Sequence, residues 1–94
     1  MIFAWNEDKD RINRRKHGVS FEAAVRVFEV PAAVSYVERV ENGEARWQTI
    51  GLAAGIVMLL VVHTVEEENG EETVRIISAR KASPRERSLY ETAE

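Results

Sequence analysis

The sequence predicts an α+β fold in which two N-terminal helices precede an antiparallel β-sheet meander and a third helix follows the last strand. Three observations support this prediction. Helix-capping residues begin two segments near the N-terminus, a series of short apolar runs separated by turn residues fills the middle of the chain, and a helix-start signal follows the last run. The 94 residues are expected to form a single domain spanning residues 1–94.

The first segment predicts a strand followed by a helix. Residues 2–5 are typical of a short strand. Asn6 is a favourable N-cap for a helix that continues to about residue 17 and ends at Gly18. Ile12 is the only apolar residue between residues 7 and 17, so this helix is predicted from its capping residues more than from periodicity.

A second helix is predicted to begin at Ser20, which is a good N-cap, and to end before Pro31. Its apolar residues follow the i, i+3, i+4, i+7 spacing, which predicts one apolar face directed at a sheet. These residues are Phe21, Ala24, Val25 and Phe28.

Strands are predicted in the middle of the chain, at residues 33–40, 46–52, 56–65 and 73–79. The third of these strands is apolar on both faces until His63, so we expect it at the centre of the sheet. Asn42-Gly43 is a turn signal, and residues 66–72 are expected to form an acidic hairpin loop around Asn69-Gly70. The short connections indicate an antiparallel meander.

The last helix is predicted from a capping box at Ser83-Pro84-Arg85-Glu86. Ser83 is the N-cap, proline suits the first helical position, and Glu86 stands three residues after the cap. We expect Leu89 to point inward from this helix.

The formal net charge of −3 is distributed unevenly. Residues 7–17 contain five basic residues against three acids, and residues 75–87 contain five against one. The other positions together carry a charge of −9. A basic surface on an acidic protein indicates one anion-binding face, although two solvated helix faces are the simpler interpretation.

Composition excludes several classes of site. The absence of cysteine excludes disulfides and thiolate metal sites, and it favours a cytoplasmic location. His17 and His63 lie far apart without neighbouring ligand residues, and no glycine-rich phosphate loop is present. The apolar run 56–62 is too short to span a bilayer. We therefore expect no metal, no cofactor and no membrane association.

The remaining arginine, lysine, histidine and tyrosine residues suit metal-independent cleavage of RNA. In this reaction the 2′-hydroxyl attacks the adjacent phosphate, so the RNA supplies the nucleophile. The enzyme transfers two protons and stabilises charge on the phosphoryl oxygens. Arginine provides a bidentate donor for that charge, and histidine, tyrosine or lysine can transfer protons.

Each candidate residue also has a structural interpretation. His63 is either a catalytic group or a hydrogen-bonded histidine of the sheet. Arg75 either binds phosphate or pairs with the 66–72 loop, and Arg80 either binds phosphate or pairs with Glu86. The aromatic candidates, for which a core position is the default, are Trp47 and Tyr90.

The order of several motifs resembles one family. These motifs are NRRKHGVSFEAA at residues 13–24, RWQTIG at 46–51, RIISAR at 75–80, then Glu86-Arg87 and Tyr90. Together they resemble the BrnT toxins of bacterial type II toxin–antitoxin systems. The resemblance implies a small RelE-like toxin fold and RNA cleavage that blocks translation without a cofactor. It also implies a BrnA-like ribbon-helix-helix antitoxin as partner, an oligomeric complex with it, and contact with DNA only through that antitoxin.

Carried over by motif position, the resemblance implies two groups of site residues. The catalytic candidates are Lys16, His63, Arg75, Arg80 and Tyr90. The RNA-binding or secondary candidates are His17, Trp47 and Lys81. The two arginines are expected to hold the phosphate, and the other catalytic candidates are expected to share proton transfer.

Two hypotheses follow. The chain is either a ribonuclease toxin neutralised by a DNA-binding antitoxin, or a non-catalytic module whose basic face binds an acidic protein or nucleic acid. The complete set of proton-transferring residues favours the toxin, because a module that only binds does not need it.

Overall fold

The computed structural model describes residues 1–92. The α+β fold class is confirmed, with a five-stranded sheet and helices at both ends. In chain order the elements are β1 (Ile2–Ala4), α1 (Glu7–His17), α2 (Phe21–Val25), a 3₁₀ turn (Arg26–Glu29), β2 (Val34–Glu41), β3 (Glu44–Ala53), β4 (Val57–Glu68), β5 (Glu71–Lys81) and α3 (Pro84–Thr92). None of the helices within residues 1–92 combines the length and apolar character needed to cross a bilayer.

The strand order across the sheet is β1-β5-β4-β3-β2. Strands β2 to β5 form the predicted antiparallel meander, and the apolar strand β4 is central as predicted. The meander is not the whole sheet, because β1 pairs with β5 in parallel along residues 2–4. Short connections cannot predict this pair, since parallel neighbours need a long crossover and here almost the entire chain provides it.

Three tight turns connect the meander. Asn42-Gly43, Ala54-Gly55 and Asn69-Gly70 all have positive φ at both positions, the pattern of type I′ hairpin turns. Because the last turn uses only Asn69 and Gly70, the predicted acidic loop at 66–72 is wrong. Its glutamates lie on β4 and β5 and face one another across the ladder, as Glu67 and Glu72 do.

Polar side chains attach α1 to the sheet. Asn13 donates from Nδ2 to the carbonyls of Val19 and Ala79 at 2.8 Å, and its Oδ1 accepts from the Ala79 N–H at 3.2 Å. Asp10 accepts from the first backbone N–H of α2 at 2.8 Å. Ile12, the only apolar residue of α1, is 60% exposed. The predicted caps are confirmed, but the buried contacts of the helix are polar.

The second helix is shorter than predicted and continues as the 3₁₀ turn. Its buried residues are Phe21, Ala24 and Val27, at every third position. That spacing fits the tighter winding of a 3₁₀ segment. As a result Val27 is fully buried, while Val25 and Phe28 are only partly buried against the core.

The sheet separates two apolar clusters. The larger one lies under α1 and α2, and in the smaller one Tyr90 of α3 packs on Ile50 and Leu60. The expectation that Leu89 points inward is wrong, because Leu89 is 46% exposed and its neighbour Tyr90 is buried. We call the surface covered by α1 and α2 the helix face of the sheet.

Candidate functional site

Two arginines project from the side of the sheet opposite the helix face. Arg80 lies opposite Leu60, and Arg75 lies opposite Thr64. Leu60 and Thr64 are four residues apart on β4, so they share a face, and Leu60 packs beneath α3. We call this surface the arginine face and define it by Tyr36, Gln48, Arg75 and Arg80.

Arg80 is attached to the start of α3 by Glu86. Its Nη1 and Nη2 donate to the two carboxylate oxygens at 2.8 and 2.7 Å. The predicted capping box is present: the Ser83 N–H donates to Glu86 Oε1 at 2.8 Å, and Ser83 Oγ accepts from the Glu86 N–H at 3.2 Å. The hydrogen bonds from Arg80 lower the pKa of Glu86 to about 2, and the same contact raises the pKa of Arg80. The pairing proposed from the sequence is therefore confirmed.

Arg75 has a different environment. Its side chain is exposed, and within residues 1–92 it forms no salt bridge. The alternative in which it pairs with the glutamates of residues 66–72 is not observed. A β-bulge in β5 lies between Arg75 and Arg80, so the two residues share a face although they are five positions apart. They lie opposite residues that are four apart on β4, a separation of about 13 Å along the strand. The two guanidinium groups are therefore better placed to bind different phosphates than to share a single phosphate.

Tyr36 is a member of this face that the sequence did not indicate. It lies opposite Gln48 across β2 and β3, and its hydroxyl donates to the Gln48 side-chain oxygen. Burial raises the pKa of Tyr36, and the negative charge of Glu86 raises it further while Arg80 opposes this. Tyr36 therefore lies close to the Arg80–Glu86 pair. Strand register brings it there, and register cannot be read from the spacing of residues on β2.

The end of α1 meets the edge of β5 between the two arginines. Lys16 and His17 border a shallow depression of about 190 Å³ that Ser78 also lines. Along β5, Ser78 is three residues after Arg75 and two before Arg80. Strand β1 pairs with β5 only as far as Arg75, so α1 and not a strand lies beside this part of the edge. The structure thus brings Lys16 and His17 to the border of the arginine face.

His63 lies on the helix face and is 3% exposed. Its ring packs edge-to-face on Phe28, with ring centroids 4.9 Å apart. Its Nε2 is 2.7 Å from Thr49 Oγ1, which is in turn 2.7 Å from Ser35 Oγ. Its Nδ1 is buried and has no hydrogen-bond partner in the part of the chain that the structure describes. Burial lowers the pKa of His63 to about 4, so the ring is neutral at pH 7.

The structure does not bring His63 to the arginines. His63 precedes Thr64 on β4, so the two side chains project from opposite sides of the sheet. Trp47 pairs directly with His63 and lines the same cavity of about 230 Å³. Lys81 pairs with Leu59, a residue of the core under α1 and α2, so it also projects from the helix face.

The residues proposed from the sequence therefore occupy three places. Arg75 and Arg80 lie on the arginine face, and Tyr90 is buried between α3, to which it belongs, and this side of the sheet. Lys16 and His17 lie at the edge of β5. The remaining three, on the helix face, are Trp47, His63 and Lys81. Within residues 1–92, no three histidine, cysteine, aspartate or glutamate side chains converge as they would around a metal ion.

Comparisons with known proteins agree with the motif order. The family model described as "Ribonuclease toxin, BrnT, of type II toxin-antitoxin system" matches residues 5–86. Among solved structures, the chain is similar to the ribonuclease toxin BrnT of Brucella abortus, with a TM-score of 0.66 and 23% sequence identity over 88% of this chain and 99% of that one. This structural similarity supports the fold. No curated protein matches the chain.

Proposed function

Because the chain belongs to the BrnT family of ribonuclease toxins of type II toxin–antitoxin systems, we propose that it cleaves RNA at the edge of β5, where Lys16 and His17 border the arginine face. One observation carries this location. Among the proton-transferring candidates, Lys16 and His17 lie at the edge of β5 beside Ser78, which is between Arg75 and Arg80 along the strand, whereas His63 is buried on the face opposite the two arginines.

The proposed reaction is attack of a ribose 2′-hydroxyl on the adjacent phosphate. The 2′-oxygen loses its proton as it bonds to phosphorus, and the leaving 5′-oxygen gains a proton as its bond breaks, which gives a 2′,3′-cyclic phosphate. His17 accepts the proton of the 2′-oxygen and gives a proton to the leaving 5′-oxygen, and Lys16 stabilises charge on the phosphoryl oxygens. Neither step requires a metal ion, because the RNA supplies the nucleophile and the cations are side chains.

Arg75 and Arg80 would hold the RNA by its phosphates on either side of the reacting bond. Arg80 keeps part of its guanidinium free, since its hydrogen bonds to Glu86 and to the Lys81 carbonyl use at most three of its five N–H donors. Tyr36 replaces Tyr90 as the tyrosine proposed beside Arg80, because Tyr90 is buried. The glutamates at the β4–β5 hairpin repel phosphate, so they favour a placement of the RNA strand away from that end of the sheet.

The proposal predicts that Arg75→Ala lowers kcat/KM for a single-stranded RNA about tenfold or more, because an exposed phosphate ligand is removed. The assay uses the purified chain in excess EDTA and follows the cyclic-phosphate product. Arg39→Ala is the matched control, since Arg39 is an exposed strand arginine on β2 that pairs with Glu41 at 3.3 Å. Parental activity in Arg75→Ala would contradict this role, and activity abolished by EDTA would contradict the metal-independent mechanism.

In the cell, the proposed RNA cleavage takes place in the cytoplasm and blocks translation. The fold we propose is a variant of the small RelE-like toxin fold. We propose a BrnA-like ribbon-helix-helix antitoxin as partner, in an oligomeric complex that contacts DNA only through the antitoxin. Expression of the chain alone in bacteria should arrest growth, and the product of the neighbouring gene should relieve the arrest. Harmless expression of the folded chain would instead favour a non-catalytic binding module.

A further inference from the structure

A separate cavity lies on the helix face, and none of Lys16, His17, Arg75 and Arg80 lines it. It is a groove of about 500 Å³, open to solvent, between the start of α2 and the β3–β4 hairpin. Its floor is apolar and is formed by Val19, Ala23, Ala53, Val57 and Leu59. The volume lies in the range of sites that bind ligands or partner side chains.

Three cations line this groove: Arg14, Arg26 and Lys81. No carboxylate is among the lining residues that the structure describes. The acids that pair with two of the cations lie outside the groove on their own helical segments. Arg14 is 3.7 Å from Asp10, and Arg26 is 3.3 Å from Glu29. The groove therefore combines an apolar floor with a positively charged rim, which we call the cationic groove.

The apolar surface continues beyond the groove. Ile56, at the tip of the β3–β4 hairpin, lines the groove and is 81% exposed, and Val57 beside it is also exposed. A hairpin turn does not require a large apolar side chain at its tip. A contiguous apolar surface of this kind, bordered by charges, is typical of a protein-binding site.

The chemistry of the cationic groove favours a protein segment over RNA. A base-binding surface presents aromatic rings for stacking, and the lining described here contains no aromatic side chain. An amphipathic segment satisfies both features of the groove, because its apolar side chains fill the floor while its carboxylates meet the rim.

We propose that the cationic groove binds an acidic, amphipathic segment of the antitoxin. This inference rests on the proposed function for the identity of the partner. It places the contact on the opposite side of the sheet from Arg75 and Arg80. Binding here attaches the antitoxin to the toxin without occupying the phosphate-binding surface.

Charge reversal at the rim tests the electrostatic half of the proposal. Arg26→Glu should weaken binding of the antitoxin encoded by the neighbouring gene at least tenfold, and it should reduce the dependence of Kd on salt. Arg11→Glu is the matched control and should change Kd less than twofold. Arg11, like Arg26, is an exposed arginine paired with an acid three residues away, but it lies outside the groove.

A substitution at the hairpin tip tests the apolar half. Ile56→Asp should weaken antitoxin binding at least tenfold, and because Ile56 is exposed the variant should fold as the parent does. Val40→Asp, at an exposed valine of β2, is the control. Parental Kd values for both Arg26→Glu and Ile56→Asp, or no binding of the neighbouring gene product at all, would overturn the proposal.

Methyl NMR spectra of the complex locate the contact directly. We expect the largest changes in methyl chemical shift at Ile56, Val57 and Leu59. Changes confined to Ile50 and Leu60, on the α3 side, would overturn it. RNA cleavage is measured on the same proteins without antitoxin, and Arg26→Glu should cleave as fast as the parent. Loss of RNA cleavage in every protein, the parent included, would refute the proposed function. Normal cleavage together with parental antitoxin binding by the groove variants would refute only the proposed role of the cationic groove.

Discussion

His63 illustrates how the sheet controls the chemistry of a single side chain. The histidine ring is enclosed between Phe28 and the sheet, and its Nε2 is hydrogen-bonded to Thr49. Burial disfavours the charged ring, so His63 stays neutral well below the pH at which an exposed histidine would be protonated. Such a group stabilises the fold at neutral pH and is poorly placed to exchange protons with a substrate on the arginine face.

The lowered pKa of His63 predicts a dependence of stability on pH. Between pH 6.5 and about 4, the unfolded chain binds a proton at residue 63 and the folded chain does not. The contribution of His63 to the free energy of unfolding is therefore fully present above pH 6.5. Below pH 6.5 it decreases, by at most about 1.4 kcal/mol per pH unit. Urea unfolding of the parent and His63→Gln at pH 7, 6 and 5 measures this. If the free energy of unfolding changed equally with pH in the parent and in His63→Gln, His63 would not be buried in its neutral form.

At the scale of elements, polar contacts decide where the candidate site residues lie. Asn13 links α1 to the backbone of β5 at Ala79, and this link fixes the end of the helix that carries Lys16 and His17. On β5, the same strand carries Arg75 and Ser78 beside that helix end. The proposed site therefore depends on one buried side-chain contact between two elements.

Removal of this contact should affect both stability and activity. Asn13→Ala leaves buried backbone groups at Val19 and Ala79 without partners, so it should lower the free energy of unfolding by about 2–4 kcal/mol. The remaining folded protein should cleave RNA more slowly, because Lys16 and His17 are no longer held against β5. Arg15→Ala, at an exposed position of α1, is the control and should change stability by about 0.5 kcal/mol or less. Equal stability of the two variants would contradict the role of Asn13.

The same contact explains what sequence alone can and cannot predict here. Caps and turns depend on neighbouring residues, so Asn6, Ser83 and the Asn-Gly turns were predicted correctly. The anchoring role of Asn13 depends on a residue 66 positions away, and nothing local indicates it. The position of Tyr36 depends in the same way on the register between β2 and β3.

At the scale of the whole molecule, the sheet separates two surfaces with different chemistry. One side carries the arginine face, and the other carries the cationic groove and the buried histidine. The basic segments 7–17 and 75–87 meet where α1 packs on β5, although the protein as a whole is acidic. The order of the motifs predicted the family, which the family model confirms. The motifs did not predict the side of the sheet for each residue, because consecutive positions on β4 point in opposite directions.

In the mechanism we propose, RNA cleavage depends on His17 at the edge of β5 and not on His63. The most direct test compares the single-turnover cleavage rate of His17→Gln and His63→Gln in EDTA, at pH 7 and with both proteins shown to be folded. We expect His17→Gln to cleave about 100-fold more slowly than the parent, because a proton-transferring group is lost. We expect His63→Gln to cleave within about threefold of the parent rate. A large loss of rate in His63→Gln together with a parental rate in His17→Gln would contradict the proposed role of His17.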